Sequence, residues 1–243
     1  MQSCFCIHCR LPQSHCACIT APEHFEHVEP VTPPTKPVLE WALLQHEQEY
    51  RRETATGQLA LNFLHQSHPQ GTKVGRHYAW QRQTPPSVLI QKLKSPEYQP
   101  WLLFPADRDS TAERVQHLLA TKEIAGNEDN QAQIDSHWRV LSDDGKKIPL
   151  VIVPDGTWKE VRKIVRKSPW LEHVPLLTLE PTETTRYTLR RNPDAQHLCT
   201  LEVMAWVYQQ LGEAERAQTL MQGLERFQSH FNAYKSGHAL KKR

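Results

Sequence analysis

Five of the chain's six cysteines fall between Cys4 and Cys18: Cys4, Cys6, Cys9, Cys16 and Cys18. In a reducing compartment such a cluster reads as a metal site rather than a disulfide framework. Zinc takes four soft ligands in a tetrahedron, and a C-x(1–2)-C pair can place two thiolates on one ion. Cys6-x2-Cys9 and Cys16-x-Cys18 are two such pairs, with Pro12 between them to help the chain reverse. Cys4, His8 and His15 are alternative ligands on spacing alone. Free thiols at that density would be an oxidation liability. Cys199 stands apart in an apolar helical pattern and reads as a small buried residue.

A second chemistry-bearing group is Asp155-Gly156-Thr157-Trp158, which follows the apolar run Pro149 to Pro154. A carboxylate at a strand end beside a helix start either helps cap the helix or serves as a general base or ligand acceptor. Trp158 is a core residue or a platform for a base. Gly156 serves the turn or lets a ligand approach the backbone. A third group is Arg186, Tyr187, Arg190 and Arg191, where guanidinium forks could take carboxylates or phosphates, or lie on an exposed loop. Thr200 reads most simply as an N-cap. There is no G-x-G-x-x-G, no G-x-x-x-x-G-K-[ST] and no G-x-S-x-G, so ATP-driven chemistry and serine hydrolysis lose ground.

The elements that must position these groups can be read coarsely. Residues 19–37 hold five prolines and read as an extended linker. Glu40 to Gln45, His77 to Trp80, Trp101 to Phe104, Pro149 to Pro154 and Val174 to Leu179 are strand-length apolar runs, although length alone does not exclude a helix for the first. Leu59 to Leu64, Val88 to Leu93, residues 111–120, Thr157 to Lys167, 200–211 and about 213–234 have helical spacing. Thr157 and Glu160 form an S/T-x-x-E capping box. Residues 121–148 lack a core pattern and read as a long surface excursion. Strands alternating with helices imply an α/β layer with a largely parallel sheet, whose ligands sit beyond the strands' carboxyl ends.

Composition sets the bounds. The 243 residues suit one domain, or one with a small appendage. Hydrophobic residues make up 38% and mean hydropathy is −0.64, so polar surface is extensive. No run suits a membrane span, and the N-terminus lacks a signal peptide pattern, which points to the cytoplasm. Net charge is only +2, but Arg51-Arg52, Lys146-Lys147, Lys159 to Lys167, Arg186 to Arg191 and Lys241 to Arg243 are basic clusters. They suit a bound polyanion, or are solvated faces.

Taken together, the segments resemble a known family. Cys6-x2-Cys9-Arg10-Leu11-Pro12-x3-Cys16-x-Cys18, Thr56-Gly57, Trp80-x-Arg82, Leu103-Phe104-Pro105, Asp155-Gly156-Thr157-Trp158, Tyr187-x-Leu189-Arg190 and Thr200-x-Glu202 occur in the order seen in DTW-domain proteins. Ser95 to Pro105 and Asp155 to Pro169 look especially close to the bacterial branch, the tRNA-uridine aminocarboxypropyltransferases. The resemblance implies a SPOUT-like, knotted, largely parallel sheet flanked by helices, with an N-terminal zinc knuckle. It implies transfer of the 3-amino-3-carboxypropyl group of S-adenosylmethionine to N3 of a tRNA uridine, in the variable loop, with release of 5′-methylthioadenosine. It selects Cys6, Cys9, Cys16 and Cys18 as ligands of one structural zinc. Asp155, Thr157 and Trp158 become the catalytic candidates, with Asp155 as base. Leu103, Phe104, Pro105, Gly156, Arg190 and Thr200 would hold the cofactor, and Thr56, Arg82, Arg186, Tyr187 and Glu202 the RNA. The expected division is residues 1–37 for the knuckle and linker, 38–236 for catalysis and 237–243 for a basic tail, with no obligate protein partner. Arg10 and His15 on the knuckle would help grip tRNA.

Two features depart from the family pattern: Ala55 stands where Asn usually precedes Thr56-Gly57, and the 121–148 excursion is long. Two other readings compete: a SAM-dependent RNA methyltransferase, and a non-catalytic zinc-ribbon RNA-binding protein.

Overall fold

The structure is a computed structural model that describes residues 5–18, 38–67, 74–105, 115–118, 128–179, 184–190 and 197–240. Its centre is a six-stranded sheet, formed by β1 (Glu40–Gln45), β2 (Gly75–Ala79), β3 (Tyr98–Leu103), β4 (Val115–Leu118), β5 (Ile148–Asp155) and β6 (Leu176–Leu179). The order is β2-β1-β5-β3-β6-β4, and every neighbouring pair is parallel. The α/β class and the parallel sheet are as the alternating pattern predicts.

Both faces of the sheet are covered, as a parallel sheet requires. Side chains alternate between the faces along each strand. Trp41 and Leu43 of β1, Trp101 and Leu103 of β3, and Val151 and Val153 of β5 join one core cluster. Ala42, Leu44, Leu102, Leu150 and Ile152 join the other. The first face is covered by α2 (Thr56–Ser67), α4 (Glu128–Ser142), α6 (Thr200–Gln210) and α7 (Ala214–Lys235). The second is covered by α3 (Ser87–Lys94), α5 (Trp158–Arg166) and the short turn Pro169–Leu171. A four-residue helix, α1 (Glu47–Tyr50), follows β1 directly.

Three expectations change. Residues 111–120 do not form a helix where they are described, because Val115–Leu118 is the edge strand β4, paired with β6. The 121–148 stretch is not a bare excursion, because it contains the fifteen-residue helix α4. Trp138 and Leu141 are buried, and the Trp138 indole donates to the Leu211 carbonyl at 2.8 Å. Thr200 is not the N-cap of α6: Cys199 is, and its N–H donates to the Glu202 carboxylate at 2.7 Å. The linker expected at 19–37 lies outside the described residues, as does Cys4.

Candidate functional site

The carboxyl ends of β3, β5 and β6 open into a cleft of about 580 Å3 with a mainly apolar lining. That volume lies in the range for sites that take a small organic ligand. Leu103, Phe104 and Pro105 form one wall, and Leu177 and Leu179 another. Gly156, Thr157 and Trp158 line it where β5 passes into α5. The Trp158 ring lies 5.1 Å from His197, tilted by 51°. Tyr187, Arg190, Thr56 and Thr200 complete the set.

Asp155 lines this cleft yet is only 2% exposed. Thr200 donates its hydroxyl to one carboxylate oxygen at 2.6 Å, and the Gln45 amide donates to the other at 2.6 Å. The N-terminus of α2 rests against the same carboxylate. A Cβ on Gly57 would stand 2.7 Å from Asp155 Oδ2 and 2.8 Å from Leu43, so the motif Thr56-Gly57 needs glycine for close approach. Burial pushes the Asp155 carboxyl up to about 6, helped by the nearby Glu49 carboxylate and opposed by the two hydrogen bonds. A group with that pKa is mostly ionised at neutral pH and can still accept a proton.

Glu49 is the residue that sequence reasoning missed. It lies in the cleft lining, 2% exposed, in the short helix α1, whose four residues carry no apolar pattern. Arg190 grips it with both terminal nitrogens, at 3.0 and 2.6 Å, and donates its Nε to the Thr54 hydroxyl at 2.9 Å. Burial works against the Arg190 charge, but the Glu49 carboxylate outweighs it and raises the pKa. Arg52 bridges Glu49 to Glu160, which it holds at 2.8 and 2.9 Å. Glu160 in turn accepts from the Thr157 N–H at 2.8 Å, which completes the expected capping box of α5. The Arg52 bond and the cap hold Glu160 down at about 2. A chain of charge-assisted bonds thus runs from the start of α5 to Arg190. Gln45 was also missed. It is fully buried, and its one legible signal is a polar residue closing an apolar run at a strand's carboxyl end.

Not every residue assigned to RNA by resemblance faces the cleft. Thr56 and Tyr187 do, although the Tyr187 hydroxyl is spent on the Thr54 carbonyl at 2.6 Å and burial pushes its pKa up to about 12. Glu202 is 4% exposed, and its carboxylate holds Thr185 Oγ1 at 2.7 Å as well as the backbone N–H of Arg186 and Cys199. Arg186 pairs loosely with Glu225 at 3.7 Å on an exposed surface. Arg82 is exposed just beyond β2, two residues past the buried Trp80.

The four cysteines form a separate group. The sulfurs of Cys6, Cys9, Cys16 and Cys18 all lie within 4.8 Å of one another, with Cys6 and Cys18 at 3.5 Å and Cys9 and Cys16 at 3.7 Å. Zinc–thiolate bonds of 2.3 Å in a tetrahedron put sulfurs about 3.8 Å apart, so the set fits a metal ion. The Cys18 thiol bond pulls Cys9 down to about 4, while burial pushes Cys16 up to about 11. A cation among them is what would let all four ionise. Arg10, at φ 60°, closes the knuckle turn and points inward. It donates to the Tyr50 carbonyl and to Gln58 Oε1 at 2.7 Å, and its guanidinium stacks 4.8 Å over the Tyr50 ring. His15 reaches the His238 carbonyl at 2.9 Å and lies beside Tyr234. The side chains expected to grip tRNA are thus engaged within the chain. Both tie the knuckle to the body.

Fold and cleft define an α/β protein with a mainly apolar cleft where a parallel sheet ends, over a buried carboxylate. The family model of the DTW domain matches residues 3–232. The chain belongs to the DTW-domain family, that of the tRNA-uridine aminocarboxypropyltransferases, which modify tRNA. No solved structure matches the chain. Among the described residues no helix is long and apolar enough to cross a membrane.

Proposed function

We propose that the chain transfers the 3-amino-3-carboxypropyl group of S-adenosylmethionine to N3 of a tRNA uridine in the variable loop. The observation that carries this reading is Asp155, a cleft carboxylate with a pKa raised to about 6, at the carboxyl edge of the sheet in a DTW-family chain. The apolar wall Leu103 to Pro105 suits an adenosine. Gly156 lets the backbone stay close to it. Trp158 offers an aromatic face for the uridine, and Thr157 a hydroxyl beside it.

Asp155 accepts the proton from N3 as the N3–carbon bond forms, and Thr200 and Gln45 keep the carboxylate aimed. The bond between the sulfonium and the γ-carbon breaks, and its electron pair stays on sulfur in methylthioadenosine. Along with Lys159, Arg190 is one of two cations that line the cleft. Because Glu49 occupies its terminal nitrogens, it offers its remaining N–H groups rather than a free fork. Residues 38–236 carry this chemistry, and residues 1–37 hold one structural zinc through the four cysteines. A SPOUT-like fold is supported by the wholly parallel sheet with its cleft at the carboxyl edge. The enzyme works in the cytoplasm, where tRNA is.

Nucleoside mass spectrometry tests the reading. Purified chain, S-adenosylmethionine and unmodified tRNA are expected to yield aminocarboxypropyl-uridine and methylthioadenosine in equal amounts. S-adenosylhomocysteine as the co-product would replace the reading with methyl transfer.

A further inference from the structure

Helix α5 leaves the cleft mouth with a strongly one-sided surface. Val161 and Ile164 are buried, while Lys159, Arg162, Lys163, Arg166 and Lys167 are exposed. Their spacing of three and four residues puts them on one helix face. None of the five forms an ion pair with a described residue, and the one acid of the helix, Glu160, is turned in toward Arg52. The face begins at the cleft, since Lys159 lines it, and runs about 12 Å outward at 1.5 Å per residue. Midway along it Lys163 lies 5.6 Å over the Trp80 ring, whose indole donates to Ser168 at 2.9 Å. Arg82, two residues on in the chain, is exposed as well. On a chain whose net charge is only +2, this is a concentrated positive stripe.

We propose that this face of α5, together with Arg82, is the surface that holds the tRNA backbone and delivers the uridine to the cleft. The inference rests on the proposed tRNA chemistry and adds where the substrate docks. A polyanion matches the stripe by charge, and unpaired Lys and Arg side chains in a row can each neutralise one phosphate. The knuckle is the weaker docking surface, because Arg10 and His15 are turned to the body.

The test uses the full chain, an unmodified tRNA transcript and binding isotherms between about 50 and 200 mM salt. The triple variant Arg162→Gln, Arg166→Gln, Lys167→Gln leaves out Lys159 and Lys163, which contact the cleft and Trp80. It should bind tRNA at least about ten-fold more weakly, with a salt slope shallower by about 2. Its affinity for S-adenosylmethionine by calorimetry should be unchanged, which also shows that it folds. The control Lys94→Gln, Lys146→Gln removes two exposed charges outside α5, in the segments that precede β3 and β5, and should bind tRNA as the wild type does. An unchanged isotherm for the triple variant, or an equal loss in the control, overturns this inference alone. Failure of the wild type to bind tRNA overturns the functional reading as well.

Discussion

Asp155 is held in a balance that can be measured from both sides. Its carboxyl is shifted up to about 6, so the folded chain binds that proton more tightly than the unfolded chain does. Stability from this group is therefore greatest at low pH and falls as pH rises from about 4 through 6. Above that, the ionised group costs on the order of 3 kcal/mol. Asp155→Asn removes that charge. Gln45 Oε1 has no hydrogen-bond partner, so the Gln45 amide can turn and accept from the amide that the substitution introduces, while Thr200 still donates. Denaturant midpoints at neutral pH should show the variant at least as stable as the wild type. Transfer activity should fall by a factor of about 100 or more. In the wild type, kcat/KM should drop about ten-fold per pH unit below 6. An acid limb near pH 4 would mean that another group supplies the base. Sequence made Asp155 visible because a carboxylate ends the clearest apolar run. It could not show that Gln45 would hold Asp155 or that Arg190 would hold Glu49, because those pairs form between segments that meet only in space. Thr200 was misread because an N-cap and the first helical residue are adjacent, and only the direction of the hydroxyl separates them.

Helix contacts set how closely Asp155 is held. Two glycines mark where helices pack too tightly for a side chain: Gly57 of α2 against Asp155, and Gly223 of α7 against the Phe63 ring. Alanine in mid-helix would ordinarily stabilise by up to about 1 kcal/mol. At Gly223 the collision with a fully buried aromatic should reverse that, destabilising by about 1–3 kcal/mol. Thermal melting should show the drop, with the pH limb of activity left near 6. Gly57→Ala should lower the melting temperature too, and in addition move that limb, because it displaces α2 from the carboxylate. Equal pH profiles for the two variants would break the link between α2 and Asp155. The element pattern was legible where runs were long or capped, as in β5 and α5. It failed at β4, whose four residues are too few to establish a period. It failed again at α4, where Ile134, Trp138 and Leu141 form a narrow stripe among many polar residues. That stripe packs on the end of α6, a surface that no local pattern announces.

Across the whole molecule the knuckle acts as a staple between the chain's two ends. Cys6, Cys9, Leu11 and Ala17 belong to the same core cluster as α2, α6 and α7. His230 of α7 bonds the Cys16 carbonyl at 3.0 Å, Asn62 of α2 donates to the His8 carbonyl at 3.0 Å, and Arg10 reaches α1 and Gln58. Spacing made the thiol cluster legible as a metal site, while the choice of Cys6, Cys9, Cys16 and Cys18 over Cys4, His8 and His15 came from the family resemblance. Their job was not legible, because the charged residues beside them suggested an RNA grip and only the fold shows where those side chains go. A metal that closes this turn would clamp α2, and α2 backs Asp155. Purified chain should carry one zinc per molecule by elemental analysis. Cys16→Ser, or exhaustive chelation, should lower the melting temperature of the whole chain by several degrees, about 4 °C for each kcal/mol lost in a domain of this size or somewhat less. Well below the new midpoint the folded fraction should keep its tRNA affinity, since the stripe on α5 lies on the other face of the sheet. Loss of tRNA binding by zinc-free chain that still melts cooperatively would return the knuckle to the role of an RNA grip.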